Sequence, residues 1–390
     1  LQGTAPDLVE RGLAWLDDGT APRSIAGVIA EGQAMPFARA DVSIDTVPTP
    51  AEIDRALAKL AVMRNEDAID PDLPIVDPHH HLWDRPRVRY TVDDLAADIG
   101  ETDRGGHNVV ATVFVECRAM YRAQGEKAMR VVGETEFVVG QAAMADSGYY
   151  GKARACAGIV GHIDLTIGAD AGRIADAQIA AGGGRFRGIR HASAHDAAPE
   201  IRMTSTLPPA GLLGDRTFRL GFAELGKRKL SFDAWLYHPQ IGELGDLADA
   251  FPDTTIILDH CGGPLGVAPY GRETIFEPWR ASIRDLARRQ NVVVKLGGLG
   301  MAVNGYDFHL KDAPPSSDML AAAWKPWFET CIEAFGPQRC MFESNFPVDK
   351  GSCSYTTLWN AFKKVASGAS DSERAALFHD TAARVYRLGA

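Results

Sequence analysis

The sequence predicts a (β/α)8 barrel of the α/β class, a TIM barrel, preceded by an N-terminal extension. Three observations carry that reading. Eight short β-branched runs recur after Pro74, helical patterns lie between them, and imidazole or charged side chains collect where the runs end. The runs are Leu73–Asp77, Val109–Glu116, Cys156–Leu165, Phe186–His191, Leu230–Tyr237, Thr255–His260, Asn291–Leu296 and Arg339–Ser344. Alternation of such runs with helices is the pattern of parallel βα units. Eight of them over roughly 280 residues is the number and size of a closed barrel.

Taken in order, residues 1–72 stand apart from this rhythm, and the barrel is expected over 73–390. The stretch Ala21–Pro50 is rich in Gly, Pro and Ala and has no period. Ala51–Glu66 reads as one helix, because Ile53, Leu57, Leu60 and Met63 recur at helical spacing after Pro50. The segment is expected to be an arm that packs on the barrel or on another subunit, in a homo- or hetero-oligomer. Its apolar residues, among them Ile25, Val28 and Phe37, argue against a fully disordered tail. Within the barrel, helices are expected at Ala123–Ala145, Gly242–Phe251, Pro278–Arg289, Pro326–Phe335 and Ser372–Leu388. Two long connections, Ala192–Arg216 and Gly300–Leu320, follow strands and so belong over the C-terminal mouth, where long loops bound an active site.

Composition narrows the partners. The chain has 390 residues, 46% of them hydrophobic and 24% charged, so it can build a core without disulfides or metal. A net charge of −10 with no Lys/Arg-rich run argues against a nucleic-acid surface. No apolar run reaches membrane-spanning length, and the first residues carry no signal-peptide pattern. The six cysteines (Cys117, Cys156, Cys261, Cys331, Cys340 and Cys353) form no C-x-x-C pair and are read as reduced thiols. A cytoplasmic protein acting on a small-molecule substrate is expected.

The strongest local signal is IVDPHHHLWD at Ile75–Asp84. In extended chain, residues two apart point the same way, so His79 and His81 face one spot at the mouth while His80 turns away. Two imidazoles so placed suit a divalent metal; the bland alternative is an exposed histidine loop. His191, His238 and His260 also end runs, and a barrel gathers all such ends into one ring. Glu116 closes the second run, either as a ligand or base or as a salt-bridged rim carboxylate. Lys295 closes the seventh, either near a ligand carboxylate or an anionic substrate, or in a structural ion pair. Arg118 and Arg190 suit a substrate carboxylate, although Arg190 precedes His191 and is expected to face away from it. Trp83 and other aromatics near the motifs line a pocket or simply pack.

IVDPHHHLWD, GIRH (Gly188–His191), ILDHCGGP (Ile257–Pro264), VVVKLGGL (Val292–Leu299) and RCMFESNFPVD (Arg339–Asp349) together resemble the amidohydrolase superfamily. Over about residues 73–388 the closest branch is the amidohydrolase-2 proteins, which include sugar-lactone and dicarboxylate-lactone hydrolases. The resemblance implies hydrolysis of a small lactone, ester or amide by metal-activated water. One or two divalent ions, with zinc expected, would be held by His79, His81, His238 and His260, with Glu116 and Asn345 as further candidates. His191, Lys295, Arg118 and Trp83 would face the substrate. The family usually has an aspartate where this chain has Asn345, and an amide is no base at neutral pH. Glu343, two residues earlier, or Glu116 would then replace that base. The chain also resembles dinuclear iron or manganese oxygenases of the same fold, which is the alternative reading. A third is a degenerate metal-binding subunit that supports an active paralogue.

Overall fold

The computed structural model of the chain describes residues 66–85, 88–100, 106–198, 201, 207–311 and 313–389. Residues 1–65 of the expected arm, including its helix up to residue 65, lie outside them. Residues 66–72 are held on the barrel. Asn360 accepts the Ile69 N–H at 2.8 Å and donates to the Asp67 carbonyl at 2.9 Å, and Lys363 Nζ donates to the carbonyls of Ile69 and Asp70 at 2.8 Å each.

Among the described residues ten strands occur in chain order: β1 (Ile75–His80), β2 (Trp83–Arg85), β3 (Val88–Tyr90), β4 (Val109–Val115), β5 (Arg154–His162), β6 (Phe186–Arg190), β7 (Ser231–Ala234), β8 (Ile256–Leu258), β9 (Val292–Leu296) and β10 (Cys340–Phe342). β2 and β3 form a small antiparallel hairpin. The other eight, one for each predicted run, make a parallel sheet in the order β1-β4-β5-β6-β7-β8-β9-β10. The sheet is drawn nearly shut where β1 meets the segment after β10: His80 bridges Phe346 in parallel, the His81 N–H reaches the Phe346 carbonyl at 2.8 Å, and the Asn345 N–H reaches the His79 carbonyl at 2.9 Å.

The period of two sorts each strand into two faces. Val113, Val160, Ile257, Val293 and Met341 pack together inside the barrel with Tyr386 and Leu388 of the C-terminal segment. Their strand neighbours Phe114, Ile159, Ile256, Val294 and Phe342 pack outward against the helices. The helical layer includes Val92–Gly100, Ala171–Ala181, Arg216–Lys227 and Tyr355–Val365, which the apolar pattern had not marked. The helices expected to begin at Pro278 and Pro326 start earlier, at Arg272 and Ser317. In the second case Ser316 caps the end by accepting the Met319 N–H at 3.3 Å. The final helical run is continuous through a π turn at Ala376–Asp380.

The mouth loops share an apolar cluster of their own. Ala194 and Ile201 from the first long connection meet Met301 and Val303 from the second, together with Trp235, Tyr237 and Leu265. All six cysteines are free. Among the described residues no helix is long and apolar enough to cross a membrane.

Candidate metal centre

The inward face of the strands turns polar as it nears the mouth. Two residues after inner Ile257, Val293 and Met341 come Asp259, Lys295 and Glu343. Arg190 ends β6, and Asp233 of β7 lies beside Lys295. These side chains form one buried network. Arg190 Nε donates to Glu116 Oε1 at 2.9 Å, and its Nη1 lies 3.4 Å from Asp259 Oδ2. Lys295 Nζ lies 2.6 Å from Asp233 Oδ2 and 3.1 Å from Asp259 Oδ1. Tyr386 Oη donates to Asp233 Oδ2 at 2.7 Å from below.

The histidines stand over this network. A register shift in β1 between Asp77 and His80 breaks the simple alternation. Asp77 therefore does not share a face with His79. It accepts from Tyr355 Oη at 3.0 Å and from the Ser344 N–H at 3.0 Å. Past the shift, His79 and His81 turn inward with ring centroids 4.9 Å apart, and His80 turns outward to Thr112 Oγ1 at 2.8 Å. His260 follows inward Asp259 and would alternate outward in a plain strand. Its φ of 54° and that of Cys261, 53°, swing it back, and its ring centroid lies 4.6 Å from that of His79. Glu343 joins the two: Oε2 lies 2.7 Å from His79 Nδ1 and Oε1 2.6 Å from His260 Nδ1.

Hydrogen bonds to backbone groups of fixed polarity sort the imidazole tautomers. His81 Nδ1 meets the Val115 carbonyl at 2.8 Å, so it carries the proton and leaves its Nε2 lone pair open. His238 Nδ1 accepts the Leu265 N–H at 3.3 Å, so in the neutral ring its proton sits on Nε2. Burial holds His79 and His81 well below the ordinary imidazole range, helped by the charge of Lys295 for the first and of Arg190 for the second. Both rings are therefore neutral and able to donate a lone pair.

The charges fit a cation. Glu116, Asp233, Asp259 and Glu343 are four buried carboxylates facing two buried cations, Arg190 and Lys295. Burial opposes ionisation of Glu116 and Asp259, but Arg190 for the first and Lys295 for the second hold them below the usual carboxylate range. Burial lifts Asp233 to about 6 despite Lys295. Among the described residues no hydrogen bond of good geometry reaches Oδ1 of Asp233, Oδ1 of Asp259 or Oε2 of Glu343. The cluster is short of two positive charges in a place where uncompensated charge is expensive. One divalent cation makes up that deficit. His79, His260 and Glu343 bring potential ligand atoms within 4.8 Å of one another. Arg190 Nη1 lies 3.3 Å from His79 Nε2, a contact that a cation at that nitrogen would replace.

The remaining candidates stand elsewhere or are committed to partners. His238 stacks edge-on to Tyr270, with centroids 5.3 Å apart. His191 and Arg190 do face opposite ways, but it is Arg190 that points inward; His191 accepts the Leu165 N–H at 3.1 Å and packs on His162 and Phe218. Lys295 is fully buried in its ion pairs, and Glu116 is bound to Arg190. Arg118 is exposed near Glu116 and takes φ 61°. Trp83 lies parallel to the His81 ring with centroids 6.3 Å apart. Asn345, with φ 54°, donates from Nδ2 to Asp349 Oδ1 at 3.0 Å. Asp349 also accepts the Gly300 N–H at 3.1 Å, and burial pushes its carboxyl up to about 7. Asp233, Asp259 and Asp349 were not singled out from the sequence. The two-residue offset from inner apolar positions is the signal that marks Asp259.

A family model described as amidohydrolase matches residues 76–388. A second, described as divergent polysaccharide deacetylase, matches residues 3–69, nearly all outside the described part. Curated relatives include uncharacterized protein y4mH of Sinorhizobium fredii, 33% identical over 337 residues that span 81% of this chain and 99% of that one. L-fucono-1,5-lactonase of Burkholderia multivorans is 28% identical over 318 residues, spanning 80% of this chain and 96% of the relative. Among solved structures, an amidohydrolase from Burkholderia multivorans with bound zinc superposes with a TM-score of 0.61 at 24% identity, covering 81% of this chain and 99% of the other. Amidohydrolase 2 of Bifidobacterium longum subsp. infantis gives 0.50 at 20% identity, covering 81% and 100%. At these identities the two structures speak for the fold.

Proposed function

Because the chain belongs to the amidohydrolase family, we propose that it hydrolyses a small lactone, ester or amide with a divalent cation held at the barrel mouth. The observation that carries the reading is the convergence of His79, His81 and His260 on a buried cluster short of two positive charges. The lactonase among the relatives makes a sugar-type lactone the first substrate class to try, and the zinc-bound neighbour makes zinc the first metal. When bound, such a cation supplies Lewis acidity, polarising a carbonyl and bringing the pKa of a water down to about 7.

The chain's own residues supply the rest. Arg190, fixed by Glu116 and Asp259, keeps a guanidinium beside His79, where a carbonyl oxygen gains charge during attack. Trp235 stands edge-on to His260 with centroids 4.9 Å apart and gives an apolar wall for a ring to pack on. Glu116 faces Arg190, Asp233 and Asp259 face Lys295, and Glu343 faces two imidazoles. Among the described residues the Asp349 carboxylate has the Asn345 amide and the Gly300 N–H as hydrogen-bond partners, so it can take up and return a proton near neutrality. In this reading it assumes the role the family usually gives to an aspartate at 345.

The test is an assay of the metal-stripped and zinc-reloaded protein against L-fucono-1,5-lactone, other aldonolactones and simple esters. Hydrolysis that appears with zinc and is lost in His260→Ala is expected. Dioxygen consumption with iron or manganese and no hydrolysis would favour the oxygenase alternative. Bound metal with neither activity would favour the supporting subunit.

A further inference from the structure

We propose that Glu134 is a positioning residue: it anchors the backbone after β4, whose carbonyls aim His81 and Arg190 at the metal centre. The inference rests on the reading of that centre given above and deepens it.

Where β4 ends, its backbone turns to side chains for hydrogen bonds. Three consecutive carbonyls accept from them: Val115 from His81 Nδ1 at 2.8 Å, Glu116 from Arg190 Nη2 at 2.6 Å and Cys117 from Arg85 Nη2 at 2.6 Å. The N–H groups that follow go to one carboxyl. Glu134 Oε1 accepts the Cys117 N–H at 3.0 Å and the Ala119 N–H at 2.7 Å. The Cys117 N–H and the Glu116 carbonyl belong to the same peptide group. Glu134 thus holds one end of that peptide and Arg190 the other, and hydrogen bonds in such a chain polarise and strengthen each other. Glu116 Oε1 holds Arg190 Nε at 2.9 Å as well, so two fixed acceptors set the guanidinium plane and leave Nη1 beside His79 Nε2.

The segment needs such an anchor. Arg118 and Met120 take φ of 61° and 53°, a left-handed conformation that L residues enter only at a cost and keep only where neighbours hold them. Glu134 stands in the first turn of the helix Val132–Asp146, and the glycine before it lets that helix come close. A Cβ at Gly133 would fall 2.5 Å from the Met120 carbonyl oxygen and 2.7 Å from the Arg122 nitrogen. Glu134 is buried, and burial together with the charge of Glu116 holds its carboxyl above the usual carboxylate range. The neutral acid favoured in this way still accepts both N–H groups, so the holding is done by an oxygen in the right place and not by charge. A group that orients the residues around a metal from one layer behind them is a common device; here it works through a peptide group.

Proton–nitrogen NMR of the full chain, free of metal, tests this. Solvent exchange of the Cys117 and Ala119 amides is expected to be at least ~100-fold slower than in open peptide. The Arg190 Nε–H signal, assigned through Arg190→Lys, reports the guanidinium. Glu134→Ala should move that signal and bring both amides to within ~10-fold of open-peptide exchange. Glu134→Gln, which keeps the acceptor oxygen, should restore the signal and the protection. Gly133→Ala, which pushes the helix off the segment and leaves Glu134 in place, should also move the Arg190 signal. Freely exchanging Cys117 and Ala119 amides in the unsubstituted protein would overturn the proposal, whether or not the variants fold. So would an Arg190 signal unmoved in either folded alanine variant, or a glutamine variant as disruptive as Glu134→Ala. Every signal is read without metal or substrate, so a failure to hydrolyse lactones leaves this result standing on its own.

Discussion

Asn345 and Asp349 form a pair whose polarity is readable atom by atom. The amide donates at 3.0 Å to a carboxylate whose other hydrogen-bond partner among the described residues is the Gly300 N–H. Asn345→Asp puts two carboxylates at that separation, and like charges so close cannot both ionise. The single substitution is expected to cost about 1–3 kcal/mol, and adding Asp349→Asn, which restores a donor opposite an acceptor, should recover most of it. A double-mutant cycle by thermal melting measures this; additive losses would show that the two side chains are not coupled. Asp349 also sets a pH dependence. Its folded pKa of about 7 lies above the ordinary aspartate value, so its contribution to stability is complete below ~4 and is lost as pH rises through 7. Melting of the metal-free protein should therefore fall more steeply between pH 5 and 8 than that of Asp349→Asn. The full effect is at most on the order of 4 kcal/mol, and equal slopes would mean that Asp349 does not titrate in that window.

At the scale of elements, the glycine run after β9 shapes the site. Gly298 takes φ 67°, and its Cα hydrogen is directed at the His260 ring. Gly298→Ala brings both left-handed strain and a contact with backbone-anchored His260, together about 2–4 kcal/mol. It should lower the melting temperature and the zinc affinity together; an unchanged affinity would mean that His260 is free to move. Elements also show how far the sequence could be read. Each of the eight runs became a strand because parallel strands covered on both faces must be apolar, a strong local signal. Helices such as Ala171–Ala181 escaped notice, since their Ala-rich stretches favour a helix without marking a wide apolar stripe. The histidine pair of β1 was legible, but the outward turn of Asp77 was not, because the register shift between Asp77 and His80 is a tertiary feature. His260 reaches the cluster through two left-handed residues that no period announces.

For the molecule as a whole, closure of the sheet is what turns distant residues into one site. β1 and the segment after β10 meet through the Asn345 N–H and the His79 carbonyl, which brings His79 and Glu343 together from opposite ends of the barrel sequence. Which side chains share the ring was legible from strand ends; which of them share a cluster was not, because that depends on the tilt and register of each strand. The account's central claim is that the buried deficit of two positive charges is met by a divalent cation on the His79, His81 and His260 imidazoles. It is tested most directly by elemental analysis of protein purified without added metal, alongside His79→Ala and His260→Ala. About one or two equivalents of divalent metal in the unsubstituted protein, lost in both variants while the barrel still melts cooperatively, is the expected result. Metal retained in full by both variants, or unsubstituted protein free of metal that hydrolyses lactones undiminished in a chelator, would contradict it.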